Sequence, residues 1–153
     1  MESTPALGAR STALEVVQGL SMAGRNAVVT GGASRLGLET SRALASAGAR
    51  VVMAVRNLDQ GHAAAAAIGA EFPQAQLAVA CLDLADLATV RRFAADYLAS
   101  GQTLDILINN AAIMACPLNR SAQGWESQFA TNHLGHFSLG TALLPALKNA
   151  AAR

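Results

Sequence analysis

Short apolar runs and longer amphipathic stretches alternate along the chain. Asn26-Ala27-Val28-Val29-Thr30 is an apolar strand running into glycine, followed by a helical stretch from Leu36 to Ala47 that stops at Gly48. Arg50 to Val55 is a second, Val-rich strand, and Asp59 to Glu71 is an alanine-rich helix closed off by Pro73. Gln76 to Leu82 predicts a third strand, Leu87 to Ser100 a third long helix ended by Gly101, and Leu104 to Asn109 a fourth strand. Gln123 to about Lys148 predicts a long last helix, with Trp125, Phe129 and Phe137 as core candidates on it. Upstream, Thr12-Ala13-Leu14-Glu15 has capping-box spacing, so a short helix is expected through about Gln18, ended by Gly19.

Strands that alternate with helices of this length imply right-handed crossovers and a parallel α/β sheet of the doubly wound type. The strands are near-continuous apolar runs, as expected when helices cover both faces. The organisation is a tail with a short helix over residues 1–21 and one domain over residues 22–153. No internal repeat is visible.

Composition narrows the function. Of 153 residues 52% are hydrophobic and 14% charged, with 11 basic against 10 acidic side chains. A net charge of +1, spread along the chain, gathers neither nucleic acid nor anionic membrane, so neither is expected as a partner. Cys81 and Cys116 are too few for a disulfide framework or a cysteine-based zinc site, and are expected as reduced core residues. His133 and His136 stand three apart, but with His62 as the only other histidine they are expected to be packing residues, and no metal is expected. The first ten residues show no basic start followed by an apolar run, and a cytoplasmic location is expected.

Candidate chemistry sits at the first strand–helix junction. Thr30-Gly31-Gly32-Ala33-Ser34-Arg35-Leu36-Gly37 is a glycine-rich turn where backbone amides and a helix N-terminus approach a pyrophosphate. At the end of the second strand, where NAD-binding folds place an acid on the ribose hydroxyls, Arg56 and Asn57 stand instead. Arginine forks onto a 2′-phosphate, so NADP is the expected cofactor, with NAD as the alternative.

The turn resembles the Thr-Gly-x-x-x-Gly-x-Gly segment of the short-chain dehydrogenase/reductase family. Gly31 and Gly37 match its outer glycines, while Arg35 takes the place of the middle one. Arginine brings a Cβ and a long side chain where glycine permits close approach, so weakened cofactor affinity is expected. Two further segments carry the resemblance. Asn109-Asn110-Ala111-Ala112 is similar to the family's Asn-Asn-Ala-Gly, and Asn132-His133-Leu134-Gly135-His136-Phe137 matches the stretch holding the asparagine of its catalytic tetrad. Motif order and spacing match over about residues 22 to 148, and the wording of the later segments is closest to the retinol-dehydrogenase-like branch. The resemblance implies a Rossmann-type fold and cofactor contacts from Gly31, Ser34, Arg35, Leu36, Gly37, Arg56, Asn57, Asp83, Leu84, Asn110 and Ala111, with Asp83 on the adenine amino group. It implies that Asn132 helps organise a proton-relay water.

The family's chemistry also needs a serine and a Tyr-x-x-x-Lys pair. The only tyrosine here is Tyr97, with Gly101 four residues later, and the only lysine is Lys148. The resemblance places the serine on a fifth strand just beyond residue 153. The chain therefore reads as a truncated N-terminal fragment of an NAD(P)-dependent alcohol/carbonyl oxidoreductase, inactive alone, needing the missing half to meet a small alcohol or carbonyl substrate. The alternatives are a non-catalytic NADP-binding or dimerisation module, or a degenerate remnant. Four strands in the order 3-2-1-4 would leave the fourth strand's outer edge bare, so self-association through it is expected.

Overall fold

A computed structural model describes residues 7–121 and 123–151. Its elements follow the alternating pattern: α1 (Ala13–Val17), β1 (Asn26–Thr30), α2 (Arg35–Ser46), β2 (Arg50–Val55), α3 (Leu58–Glu71), β3 (Gln76–Cys81), α4 (Leu87–Ala99), β4 (Ile106–Ile108), α5 (Ser127–Phe129) and α6 (His136–Ala151). The four strands are parallel in the order β3-β2-β1-β4, as expected. Helix α1 forms because Thr12 and Glu15 close the capping box, the hydroxyl taking the Glu15 N–H and the carboxylate the Thr12 N–H. Such a cap is worth about 1 kcal/mol.

Side chains leave a strand alternately to its two faces, which divides the core in two. Ala27 and Val29 of β1, with Val51, Met53 and Val55 of β2, pack against Leu44 and Ile68 of α2 and α3. Val28 and Ala54 face the other way, onto Val90, Phe93 and Tyr97 of α4 and Leu139 and Leu143 of α6. Met53, Leu104, Leu139 and Leu143 are fully buried, and each contributes about 1.5–3 kcal/mol of transfer free energy. Thr30, two residues beyond Val28, belongs to the α6 face, and this puts its hydroxyl beside that helix.

Four expectations are corrected. The last helix does not begin at Gln123. Ser121 N–H donates to the Trp125 carbonyl, Gly124 takes φ +85°, and Glu126 then caps α5 by accepting the N–H groups of Gln128 and Phe129. A π-helical turn over Ala130–Gly135 joins α5 to α6. The aromatic residues of this stretch are not core: Phe129 is 51% exposed and Phe137 68%, stacked either side of His133, while Trp125 is half-buried. Among the described residues no layer covers that side, so spacing alone misassigned the face. Cys81 is likewise exposed at the end of the edge strand β3, with Cys116 half-buried. β4 is shorter than expected, Ile106–Ile108; ahead of it the Leu104 N–H donates to the Ala146 carbonyl of α6 and the Asp105 N–H to the Asn26 carbonyl.

Candidate dinucleotide cleft

The cleft lies at the C-terminal ends of β1, β2 and β4, where β1 separates strands that cross to opposite sides of the sheet. Open α/β sheets form their ligand crevices at such a switch point. Its volume is about 330 Å³. The turn after β1 supplies Thr30, Gly31, Ala33, Ser34, Arg35 and Leu36, and the end of β2 supplies Ala54, Val55, Arg56 and Asn57, with Gln60 from α3. Leu82 and Leu84 come from the segment after β3, Asn110 to Ile113 from the segment after β4, and Thr131 from the π-helical turn. The only ionisable side chains in this lining are Arg35 and Arg56, both exposed.

Two sequence features shape the turn. Gly37 is buried where a Cβ would fall inside van der Waals distance of the Gly31 carbonyl oxygen and 2.5 Å from Asn110 Nδ2. This glycine lets α2 start directly beneath the turn. Arg35 sits at φ +49°, the left-handed region that costs a non-glycine residue about 1–2 kcal/mol. Glycine at this position would adopt the same conformation freely. Ser34 precedes α2 without its hydroxyl capping the helix, and no acid stands in the first turn, so the positive end of the helix faces the cleft uncompensated.

Several residues expected here serve the scaffold. Asn57 accepts the Gln60 N–H and caps α3. Asn110 donates from Nδ2 to the Thr30 carbonyl at 2.9 Å, and the backbone N–H groups of Asn110 and Ala111 both donate to Thr30 Oγ1. Asp83 does not line the cleft; its Oδ1 accepts the Ala85 N–H at 2.9 Å, while Thr89 holds its backbone. Gly37 also lies behind the lining, as the floor of the turn. Asn132 lies in a neighbouring shallow groove with Asn109, His133, His136 and Phe137. Its side chain grips Ile113, which does line the cleft. Among the lining residues that sequence reasoning missed are Thr30, Gln60, Ile113 and Thr131. Gln60 is exposed on α3 and Thr131 is buried in the π-helical turn, so their place depends on how those elements pack, and no motif marks it.

The two late histidines have separate partners. His133 stacks between Phe129 and Phe137 on the surface, with ring centroids 5.2 and 6.4 Å away. His136 is buried against Thr30. Tyr97 is packed in the core and donates its hydroxyl to the Thr103 carbonyl at 3.0 Å, away from the cleft. Burial pushes its phenol above the ordinary value of 10, with Asp105 adding to the rise. Lys148 is exposed, in the last turn of α6. Neither residue belongs to the cleft lining.

A parallel α/β sheet with a glycine turn at its switch point defines a Rossmann-type protein. The short chain dehydrogenase profile matches residues 25–153, and the chain belongs to that family. It is 46% identical to retinol dehydrogenase 11 of Mus musculus over 128 residues, covering 84% of this chain and 40% of that protein. It is 42% identical to the chloroplastic short-chain dehydrogenase TIC 32 B of Brassica napus over 144 residues, covering 94% and 45%. A metagenomic short-chain oxidoreductase solved in complex with NADP superposes with a TM-score of 0.72 at 30% identity, covering 84% of this chain and 58% of that one. The chain thus spans less than half the length of these two curated relatives. Among the described residues no helix is long and apolar enough to cross a membrane.

Proposed function

We propose that residues 22–153 form the dinucleotide-binding portion of an NADP(H)-dependent oxidoreductase that interconverts small alcohols and carbonyl compounds. The observation that carries this reading is Arg56 at the end of β2, in a cleft that no carboxylate among the described residues lines. An acid at the end of β2 would favour ribose hydroxyls, whereas Arg56 there favours a 2′-phosphate. The metagenomic relative's complex with NADP supports the same choice.

The residues fit such a cofactor. Gly31, Ser34 and Leu36 at the start of α2 would hold the pyrophosphate, above a floor made by Gly37, and Arg56 would meet the 2′-phosphate. Leu84 would lie against the adenine, and Asn110 and Ala111 beside the nicotinamide-side ribose. Asp83 would offer Oδ2 to the adenine amino group while Oδ1 keeps the Ala85 N–H. When bound, the cofactor supplies or accepts the hydride. Asn132 holds Ile113, so its part in a proton relay would run through its backbone and the π-helical turn.

These 153 residues contain no Tyr-x-x-x-Lys pair, and Tyr97 and Lys148 lie outside the cleft. Binding without turnover is therefore the expected behaviour of the chain alone. A second reading, a non-catalytic NADP-binding or dimerising module, is favoured by the outer edge of β4, which no strand among the described residues pairs. Titration with NADPH and NADH tests the main reading: NADPH should bind more tightly, and Arg56→Ala should cost NADPH about tenfold or more while sparing NADH. Tighter binding of NADH by the unaltered chain would overturn the NADP assignment.

A further inference from the structure

Thr30 and His136, both buried, meet across the domain: Nε2 of His136 lies 2.9 Å from Oγ1 of Thr30. That oxygen already accepts the backbone N–H groups of Asn110 at 2.9 Å and Ala111 at 3.0 Å, which occupy both of its lone pairs. Its own proton must be donated, and Nε2 is a nearer acceptor than the Ile108 carbonyl at 3.4 Å. Nε2 accepts only when it carries no proton. The other ring nitrogen agrees, because Nδ1 faces the Asn132 carbonyl at 3.2 Å, where only a donor is useful. The backbone N–H of His136 turns to His133, so the imidazole is the group that meets Asn132.

We propose that His136, as its neutral Nδ1–H tautomer, is a positioning residue that pins the Asn110–Ala111 wall of the cleft through the Thr30 hydroxyl, and that protonating it loosens this wall. The inference rests on the reading of the cleft as a dinucleotide site. An imidazolium would present donors at both nitrogens. Thr30 Oγ1 would then face three donors with two lone pairs, and the bond from Asn110 or Ala111 would weaken.

The surroundings leave this titration to local contacts. β1, β4 and residues 109–113 contain no charged side chain. Along the π-helical turn and α6 the other titratable groups are His133, exposed between two phenyl rings, and Lys148, about three turns on. α4, packed on α6, carries Arg91, Arg92, Asp96 and Tyr97, and Asp83 stands beside Leu84, against which Gly135 packs. Burial lowers the His136 pKa from its ordinary 6.5, with the Asn132 carbonyl opposing in part.

Long-range ¹H–¹⁵N spectra of the full chain read the tautomer, and amide exchange reads the wall. The expected result is an Nδ1–H ring that titrates below 6.5, with the protection of the Asn110 and Ala111 amides, taken relative to their intrinsic exchange rates at each pH, falling in step. NADH affinity should fall roughly three- to tenfold through the same titration, the size of one weakened buried hydrogen bond. NADH is the probe because it lacks the 2′-phosphate, a group that titrates near pH 6 itself. His136→Gln should abolish the pH step, and Thr30→Ser, which keeps the hydroxyl, should retain it. An Nε2–H ring, or amide exchange that ignores the titration, overturns the proposal. Intact amide coupling with no NADH or NADPH binding at any pH overturns the dinucleotide reading instead and leaves the clamp standing.

Discussion

Asn132 grips the backbone of Ile113 with both ends of its amide: Oδ1 accepts the Ile113 N–H at 2.9 Å, and Nδ2 donates to the Ile113 carbonyl at 2.7 Å. The pair ties the π-helical turn to the segment that follows β4, so two stretches 19 residues apart share one geometry. Asn132→Asp keeps an acceptor but cannot donate, and Asn132→Leu keeps neither. The expected losses of stability are about 1 kcal/mol for the aspartate and about 2 kcal/mol for the leucine, read by urea denaturation. Equal stability of all three proteins would show that the grip is incidental.

Arg35 holds a left-handed backbone in a turn that also forms the cleft. Arg35→Gly removes the strain and should raise stability by about 1 kcal/mol. The same change clears a long side chain from the turn and should tighten NADPH binding. Unchanged or weaker affinity in the glycine variant would mean that the guanidinium contributes more to phosphate than its bulk costs.

The floor of the turn is the least tolerant point. A methyl group at Gly37 would collide with the Gly31 carbonyl and Asn110 Nδ2, neither of which is free to move. Gly37→Ala should cost about 1–3 kcal/mol and abolish dinucleotide binding, as thermal melts and titration would show. Gly69→Ala is the control, since open space surrounds that position on α3, and it should raise stability by about 0.5–1 kcal/mol and leave binding unchanged.

Stability should fall with acid in two stages. Burial depresses the His136 pKa in the folded chain, so between that value and the ordinary 6.5 the unfolded chain binds more protons. Stability therefore rises with pH across this window, and it is lost as pH falls from about 6.5 through the folded value. Glu126 is held below its ordinary 4.5 by the N–H groups of Gln128 and then Phe129, and Glu71 by Arg42. Their contribution is present above about 4.5 and is lost as pH falls through the lower folded values. Denaturation midpoints from pH 8 to pH 3 should show both stages, with His136→Gln removing the first and Glu126→Gln shrinking the second.

Much of this architecture is legible in one dimension. Strand–helix alternation, the glycine turn after Thr30 and the capping box at Thr12 depend on local periodicity and turn chemistry, which leave marks in short windows of sequence, and the strand order follows from the family resemblance those windows carry. Arg35 and Arg56 were readable for the same reason, since each stands at a strand–helix junction whose chemistry is local. Other features need long-range packing. The Thr30 hydroxyl serves Asn110, Ala111 and His136 at once, and those partners lie about 80 to 106 residues away. The π-helical turn around Asn132 and the outward face of Phe129 and Phe137 have the same origin. Each depends on which groups compete for a hydrogen bond, or cover a surface, once distant elements are packed, and no spacing along the chain records the outcome of that competition.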